Sequence, residues 1–319
     1  MEFDLIDAIR TRVNIARDDV ALSVGDDAAL TRVAPGQQLV ACVDTLVADV
    51  HFPRDTAPED LGWKSLAVNL SDLAAMGAVP AWALLALTLP DADARFVERF
   101  AKGFAELARA HDVALIGGDT TQGPLSVTVT ALGTVPTGEA LTRAGARAGD
   151  AVFVTGTLGD AAGALRLLRD PGKGAAHAET LFAHLNRPQP RIAAGLALRG
   201  IANACIDVSD GLLADLGHVC VASGVGAELE FDALPLSSAL TAVFDAATCR
   251  ELALAGGDDY ELCFTVPADR TSDVAPALAQ AGCDATRIGR VVAGSGVRVL
   301  DAHGNELATP QAGWEHFSQ

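Results

Sequence analysis

Six short motifs set an aspartate beside glycine or a small polar residue along one chain of 319 residues. They are Gly25-Asp26-Asp27, Val43-Asp44-Thr45, Asn69-Leu70-Ser71-Asp72, Gly117-Gly118-Asp119, Asp207-Val208-Ser209-Asp210-Gly211 and Gly256-Gly257-Asp258-Asp259. Taken singly, each is a turn motif, because Asp and Gly suit turns for backbone reasons. Taken together, they form a carboxylate set of the kind that holds a hard cation. Mg²⁺ takes a few carboxylates together with phosphate oxygens, and several such ions can share one phosphate chain. The matching chemistry is phosphoryl transfer. Ser65, Asn69 and Asp72 fall at i, i+4 and i+7, one polar stripe on a helical stretch that is otherwise Leu66, Ala67, Val68, Leu70, Leu73, Ala74 and Met76. Such a stripe is either solvated or a buried acid that needs a compensating cation. Asp44 and Asp119 follow apolar strand runs, and strand-end side chains commonly project into a shared cleft.

Other chemistries lack their signatures. Gly172-Lys173 is followed by Gly174, so no P-loop is present, and no GxGxxG fits the chain. The stretch Gly156-Thr157-Leu158-Gly159 after the apolar run 151–155 reads as a strand-to-helix turn. Protein-kinase loops, HExxH and GxSxG are missing. The six cysteines never approach a CxxC spacing, which fits apolar core cysteines in a reducing compartment, the cytoplasm.

The formal charge is −18, from 41 Asp and Glu against 23 Lys and Arg. That balance opposes binding nucleic acid through its phosphates. Half the residues are hydrophobic and the mean hydropathy is +0.28, which excludes a disordered chain. The longest apolar run, 81–87, is far shorter than the ~20 residues a membrane span needs. The first residues carry acid where a secretory signal carries base.

The elements that must position these acids can be read from composition and period. Val, Leu and Thr enrichment predicts a strand over 38–52, and a helix follows over 58–77, opened by Pro and acids and closed by glycine. A helix after Pro90 carries Phe96, Phe100, Phe104 and Leu107 as a core-facing stripe. A short run at 113–116 leads into a Gly-Gly-Asp turn. Alternation of Val127, Val129 and Ala131 with Ser126, Thr128 and Thr130 predicts a half-buried strand over 125–135. Glycine punctuation between 136 and 150 marks a domain boundary. Beyond it come strands near 151–155, 204–208, 227–231, 261–266, 286–292 and 297–300, helices near 160–168 and 191–199 and from 212, and an exposed loop at 171–174. The fold class is α/β, with two layered α/β domains.

In order, the segments GDDAA (25–29), VDTLVADVHF (43–52), KSLAVNLSDLAAMGAVP (64–80), LIGGDTTQGPLS (115–126), LTRAGARAGD (141–150), IDVSDGLLADLGH (206–218) and GGDDYELCFTVP (256–267) make a series far more specific than any single glycine-rich loop. The series resembles bacterial thiamine-monophosphate kinases over residues 3–314. That resemblance implies ATP-dependent phosphorylation of thiamine monophosphate to thiamine diphosphate, the last step in making that diphosphate. Transfer would be direct and in line, with several Mg²⁺ ions assisting and ATP as co-substrate. It also implies the fold of the aminoimidazole ribonucleotide synthetase superfamily. There, an N-terminal domain (1–137) binds ATP and Mg²⁺ and pairs its sheet with a second copy in a barrel-like homodimer core. A C-terminal α/β sandwich (148–319) completes the site.

Carried over by position, Asp27, Asp44, Asp72, Asp119, Asp207 and Asp210 match magnesium ligands of that family. Gly118, Asp119, Arg143 and Ser209 match its ATP contacts, and His51, Asp258 and Trp314 match positions that hold thiamine monophosphate. Asp72, Asp119, Asp210 and Arg143 form the implied catalytic set. Two departures stand out. Cys42 and Val43 occupy positions where relatives often carry Ser or Thr, so a metal contact there would fall to main-chain carbonyls. Asp258 is one methylene shorter than the Glu common at its position. Selenophosphate synthetase and the purine-pathway synthetases share the ATP chemistry, but the reactive Cys-Lys of the selenium enzyme has no counterpart before Cys42. A non-catalytic acidic protein that binds metal or nucleotide is the alternative from a different class. Neither nucleic acid nor membrane is an expected partner.

Overall fold

The computed structural model describes residues 2–169, 175–309 and 313; the loop at 171–174 and Trp314 lie outside the described residues. The chain divides into two compact units, residues 1–73 with 78–138, and 74–77 with 139–319. The class is α/β in both.

The first unit opens with α1 (Glu2–Arg12) and a two-stranded ribbon of β1 (Val20–Leu22) and β2 (Leu30–Thr31). Its centre is a four-stranded sheet built from β3 (Gln37–Val47), then, after α2 (Pro58–Ala75), β4 (Val79–Leu89), and, after α3 (Ala94–Ala110), β5 (Ala114–Gln122) and β6 (Ser126–Pro136). The strand order is β3-β6-β4-β5, with β4 and β5 parallel and the other pairs antiparallel. The strand expected over 38–52 stops at Val47, because Asp49 turns into the left-handed region (φ 65°) and its N–H bonds the Phe52 carbonyl at 2.8 Å. The run 81–87, too short for a membrane, is the middle of β4, an interior strand paired on both sides. Among the described residues no helix is long and apolar enough to cross a membrane.

Helix α3 follows the expected stripe: Asp93 caps it by accepting from the N–H groups of Arg95 and Phe96, and Phe100, Phe104 and Leu107 are buried. Two glycines let it lie directly against α2. A Cβ on Gly62 would sit 2.1 Å from the Phe100 carbonyl oxygen, and one on Gly103 would sit 1.7 Å from that of Glu59. That contact fixes the helix that carries Asp72.

The second unit contains β7 (Ala151–Thr155), α4 (Asp160–Arg169), α5 (Ala175–Asn186), α6 (Ile192–Leu198), β8 (Ala204–Asp207), α7 (Leu212–Ser223), β9 (Gly226–Glu230), α8 (Ser238–Val243), α9 (Ala246–Ala255), β10 (Leu262–Val266), α10 (Thr271–Gln280), β11 (Ala285–Val292) and β12 (Gly296–Leu300). Its sheet runs β12-β9-β11-β7-β10-β8, antiparallel except for β12 beside β9. Every residue of β7 and β10 is buried, so these strands read as continuous apolar runs rather than alternating ones. Phe153 and Phe264 stack across them at 5.5 Å. Val154, Ile206, Leu216, Leu229 and Ile288 belong to the core beneath.

Candidate functional site

In the first unit the acids of β3 and α2 meet. The stripe of Ser65, Asn69 and Asp72 is not a solvated face: Ser65 and Asn69 are buried, and Asp72 is half-buried. Inside the helix, Ser65 Oγ donates to the Gly62 carbonyl and Asn69 Nδ2 to that of Ser65. Across from them, Cys42 Sγ on β3 donates to the Asn69 carbonyl at 3.3 Å. Two residues further along the same face, the Asp44 carboxyl comes close enough to the Asp72 side chain to interact with it. Burial pushes the Asp44 carboxyl above its ordinary range, and the interaction with Asp72 works against that rise. Burial and the two neighbouring carboxylates likewise push the Cys42 thiol up, so it stays protonated.

Asp119 lies elsewhere in the unit. The expected turn at Gly117-Gly118 is a continuing strand, because a Cβ on Gly118 would stand 1.9 Å from the Leu85 carbonyl oxygen and glycine alone lets β5 pass. Asp44 and Asp119 therefore sit inside strands rather than at strand ends. Register aligns Asp44 with Val129, Leu85 and Gly118, and Asp119 with Ala86, Thr128 and Thr45. These are different rows on opposite edge strands, roughly 14 Å apart across three strand spacings. Asp119 Oδ1 accepts from the Thr120 N–H. Asp27 is exposed in the loop between β1 and β2. His51 sits in the turn after β3, where Arg54 clamps Asp49 through Nε and Nη2 at 2.9 and 2.6 Å. Its Nδ1 accepts from the Val47 N–H at 3.0 Å, which leaves Nε2 as the protonated nitrogen of the neutral ring.

In the second unit Asp207 ends β8 almost fully buried, and the chain then loops through Ser209, Asp210 and Gly211 into α7. One oxygen of Asp215, inside the first turn of α7, accepts the N–H groups of Ser209, Asp210 and Gly211 at 3.0, 3.1 and 3.1 Å. Burial, then the charges of Asp207 and Asp210, push the Asp215 carboxyl up to about 7. The Asp258 loop is laced to this one: the Asp258 N–H bonds the Ser209 carbonyl at 2.9 Å and the Tyr260 N–H bonds that of Val208 at 2.8 Å. Asp259 accepts from the Gly159 N–H with both oxygens, so the Gly156–Gly159 stretch is a strand-to-helix turn whose donor an internal carboxylate already engages. Arg143 is exposed on a segment braced from the end of α7. Ser223 Oγ donates to the Arg143 carbonyl and accepts from Gly145 and Ala146 N–H.

Asp215, Ser223 and Tyr260 were not among the residues expected from sequence. Asp215 had a local signal: a lone acid in the apolar run Leu212-Leu213-Ala214-Asp215-Leu216, one turn after Ser-Asp-Gly, is placed to reach back to a helix start. Ser223 had none.

Among the described residues no three His, Cys, Asp or Glu side chains close on one point. The Asp44–Asp72 pair is an oxygen donor set suited to a hard cation, with the remaining ligands left to phosphate oxygens or water.

Residues 25–135 match the family described as AIR synthase related protein, N-terminal domain, and residues 147–302 match its C-terminal domain. The chain is 46% identical over 319 residues to thiamine-monophosphate kinase of Escherichia coli strain K12, covering 99% of this chain and 98% of that one. It is similar to the crystal structure of thiamine-monophosphate kinase from Stenotrophomonas maltophilia K279a, with TM-score 0.88, 52% identity, and 93% and 96% of the two chains covered. It is also similar to AaThiL complexed with AMPPCP and TMP, with TM-score 0.78, 36% identity, and 99% and 97% covered.

Proposed function

This chain belongs to the thiamine-monophosphate kinase family of enzymes, and we propose that it moves the γ-phosphoryl group of ATP onto thiamine monophosphate by direct in-line transfer, giving thiamine diphosphate in the cytoplasm. The observation that carries this reading is the Asp44–Asp72 pair. Two acids brought together in a partly buried place are costly unless a shared cation compensates them. Asp27, Asp44, Asp72, Asp119, Asp207 and Asp210 are the residues that would hold Mg²⁺. When bound, the ions neutralise charge on the phosphate groups and bring two anions within reach of each other.

The protein's own groups supply position and fixed charge. Arg143 places a permanent cation against the ATP phosphates. Ser209 and the Gly118–Asp119 segment of β5 hold the nucleotide, and the Asp215 carboxylate keeps the Ser209 loop in one conformation. His51 holds the acceptor side, with its ring oriented through Nδ1. Asp258 and Trp314 hold thiamine monophosphate, Trp314 by stacking on a cationic ring. The acceptor oxygen belongs to an already ionised phosphate, so no strong general base is needed, and positioning and electrostatics carry the rate.

A homodimer completes the reading. Leu39, Val43 and Leu84 are exposed apolar residues. Leu39, Val43 and Thr45 alternate along β3, facing away from Cys42 and Asp44. An apolar sheet face of this kind is the surface that a second copy would cover.

The deciding experiment incubates the protein with ATP, Mg²⁺ and either thiamine or its monophosphate, and resolves the products. Thiamine diphosphate forms from the monophosphate alone. If none forms, the kinase reading fails; ATP consumption without it points to another reaction of the superfamily.

A further inference from the structure

Tyr260 is the one tyrosine of the chain, and the transfer chemistry leaves it without a role. Its side chain is buried, and its hydroxyl donates to Asp258 Oδ1 at 2.9 Å. Both residues stand in the left-handed region, Asp258 at φ 69° and Tyr260 at φ 51°. Aspartate tolerates that region, whereas a bulky aromatic residue adopts it only when its surroundings impose it. Here they do. The loop is tied at Asp258 N–H to the Ser209 carbonyl, at Tyr260 N–H to the Val208 carbonyl, and between them at Asp259, which accepts from the Gly159 N–H. Gly257 adds a close approach, since a Cβ there would meet the Ser209 carbonyl oxygen at 2.6 Å.

With the backbone held at these points, the side-chain torsions of Asp258 remain to be set, and a bond from a buried hydroxyl is one means of setting them. A phenol is rigid and anchored by its ring, so it fixes the carboxylate's direction at little entropic cost. We propose that Tyr260 is a positioning residue for the acceptor side of the reaction, holding the Asp258 carboxylate toward the organic end of thiamine monophosphate. This rests on the reading above, in which Asp258 holds that substrate. A carboxylate repels the phosphate end and suits the thiazolium cation or amino group at the other. The short arm of aspartate makes direction matter more, because a longer side chain could correct an error of aim and this one cannot.

The experiment compares Tyr260→Phe, Asp258→Asn and the double variant in steady-state kinetics. The protein also carries ¹³C-tyrosine, which gives a single resonance. Tyr260→Phe keeps the buried ring and removes only the hydroxyl. Each single variant raises KM for thiamine monophosphate about tenfold, as expected for one lost bond to a charged group. KM for ATP is unchanged, and the double variant is no worse than Asp258→Asn. The tyrosine resonance moves when thiamine monophosphate is added to the parent and stays still in Asp258→Asn. Parental KM in Tyr260→Phe beside an impaired Asp258→Asn overturns the positioning role and leaves the substrate reading intact. Equal rises in both KM values with a lowered Tm reduce Tyr260 to a structural residue and overturn it too. Parental KM in Asp258→Asn overturns the substrate role of Asp258, and that of Tyr260 with it.

Discussion

Asp44 and Asp72 come together between β3 and α2, beside a protonated thiol and a buried amide. Without a cation, the pair holds like charge in a partly desolvated place and burdens the fold. Asp72→Asn removes one charge while keeping size and hydrogen-bonding capacity. Turnover should fall about 10³-fold, the scale at which a key electrostatic group is missed, while the Tm of the metal-free protein rises. Kinetics and thermal melts on one preparation check both, and near-parental turnover would count heavily against the metal assignment. Asp259 gives a pH test away from those ligands. Burial raises its carboxyl well above 3.8 and the Gly159 N–H opposes that rise. A folded-state value above the unfolded one means the native protein binds the proton more tightly. The stability it contributes is therefore full at low pH and lost as pH rises above about 4. Asp259→Asn keeps the acceptor for Gly159 and has no proton to lose. Its Tm advantage over the parent should grow as pH rises above about 4, and a difference that stays constant as pH rises from 4 would refute this account.

The elements present these residues through close backbone contacts, and α2 shows it best. Its neighbour α3 approaches so near at Gly62 that a Cβ would fall 2.1 Å from the Phe100 carbonyl oxygen. Gly62→Ala should therefore destabilise the first unit by about 3 kcal/mol, at the upper end for overpacking, read as a lower urea midpoint. Val221→Ala, at an exposed position of α7 (Val221 is 83% exposed), should shift it by less than about 0.5 kcal/mol. The periodic parts of this architecture were legible in the sequence. The phenylalanine stripe announced α3, the Val/Thr alternation announced β6, and the polar stripe on α2 was visible, though not which way it faced. That direction depends on Cys42 and Asp44 arriving from a strand distant in sequence. Local rules failed where tertiary contact overrode them. Gly117-Gly118 reads as a turn, yet it is strand, because the Leu85 carbonyl leaves room for nothing larger. Helix α10 contains Pro276, which by itself argues against a helix. The candidate site was legible as residue types in order. The residues that brace it, Ser223 and Tyr260, act through bonds to backbone or side chain that no spacing reveals.

Over the whole molecule, the −18 charge is unevenly assigned. Setting aside the nine motif aspartates (26, 27, 44, 72, 119, 207, 210, 258 and 259) leaves 32 acids against 23 bases, or −9, so half the excess lies in the proposed site and its turns. The outward sheet face has the opposite character. Leu39 and Val43 are 50% and 60% exposed on β3, and Thr45 and Thr128 bond each other through their hydroxyls at 2.8 Å rather than displaying charge. Asp119, in register with Thr45 and Thr128, lies on that face at its β5 edge, and it is the uncharged β3 side, with Leu39 and Val43, that marks the face for association. In light scattering the parent should run at twice its 32.7 kDa chain mass. Leu39→Asp sets a charge on that face, on the side of β3 away from Asp44, and a buried unpaired carboxylate at an interface costs several kcal/mol. It should run at the single-chain mass. Val221→Lys, a charged change at an exposed position of α7 in the other unit, should leave the mass at two chains. A parent that scatters as one chain, or a Leu39→Asp variant that still scatters as two, would remove this face from consideration as the dimer surface.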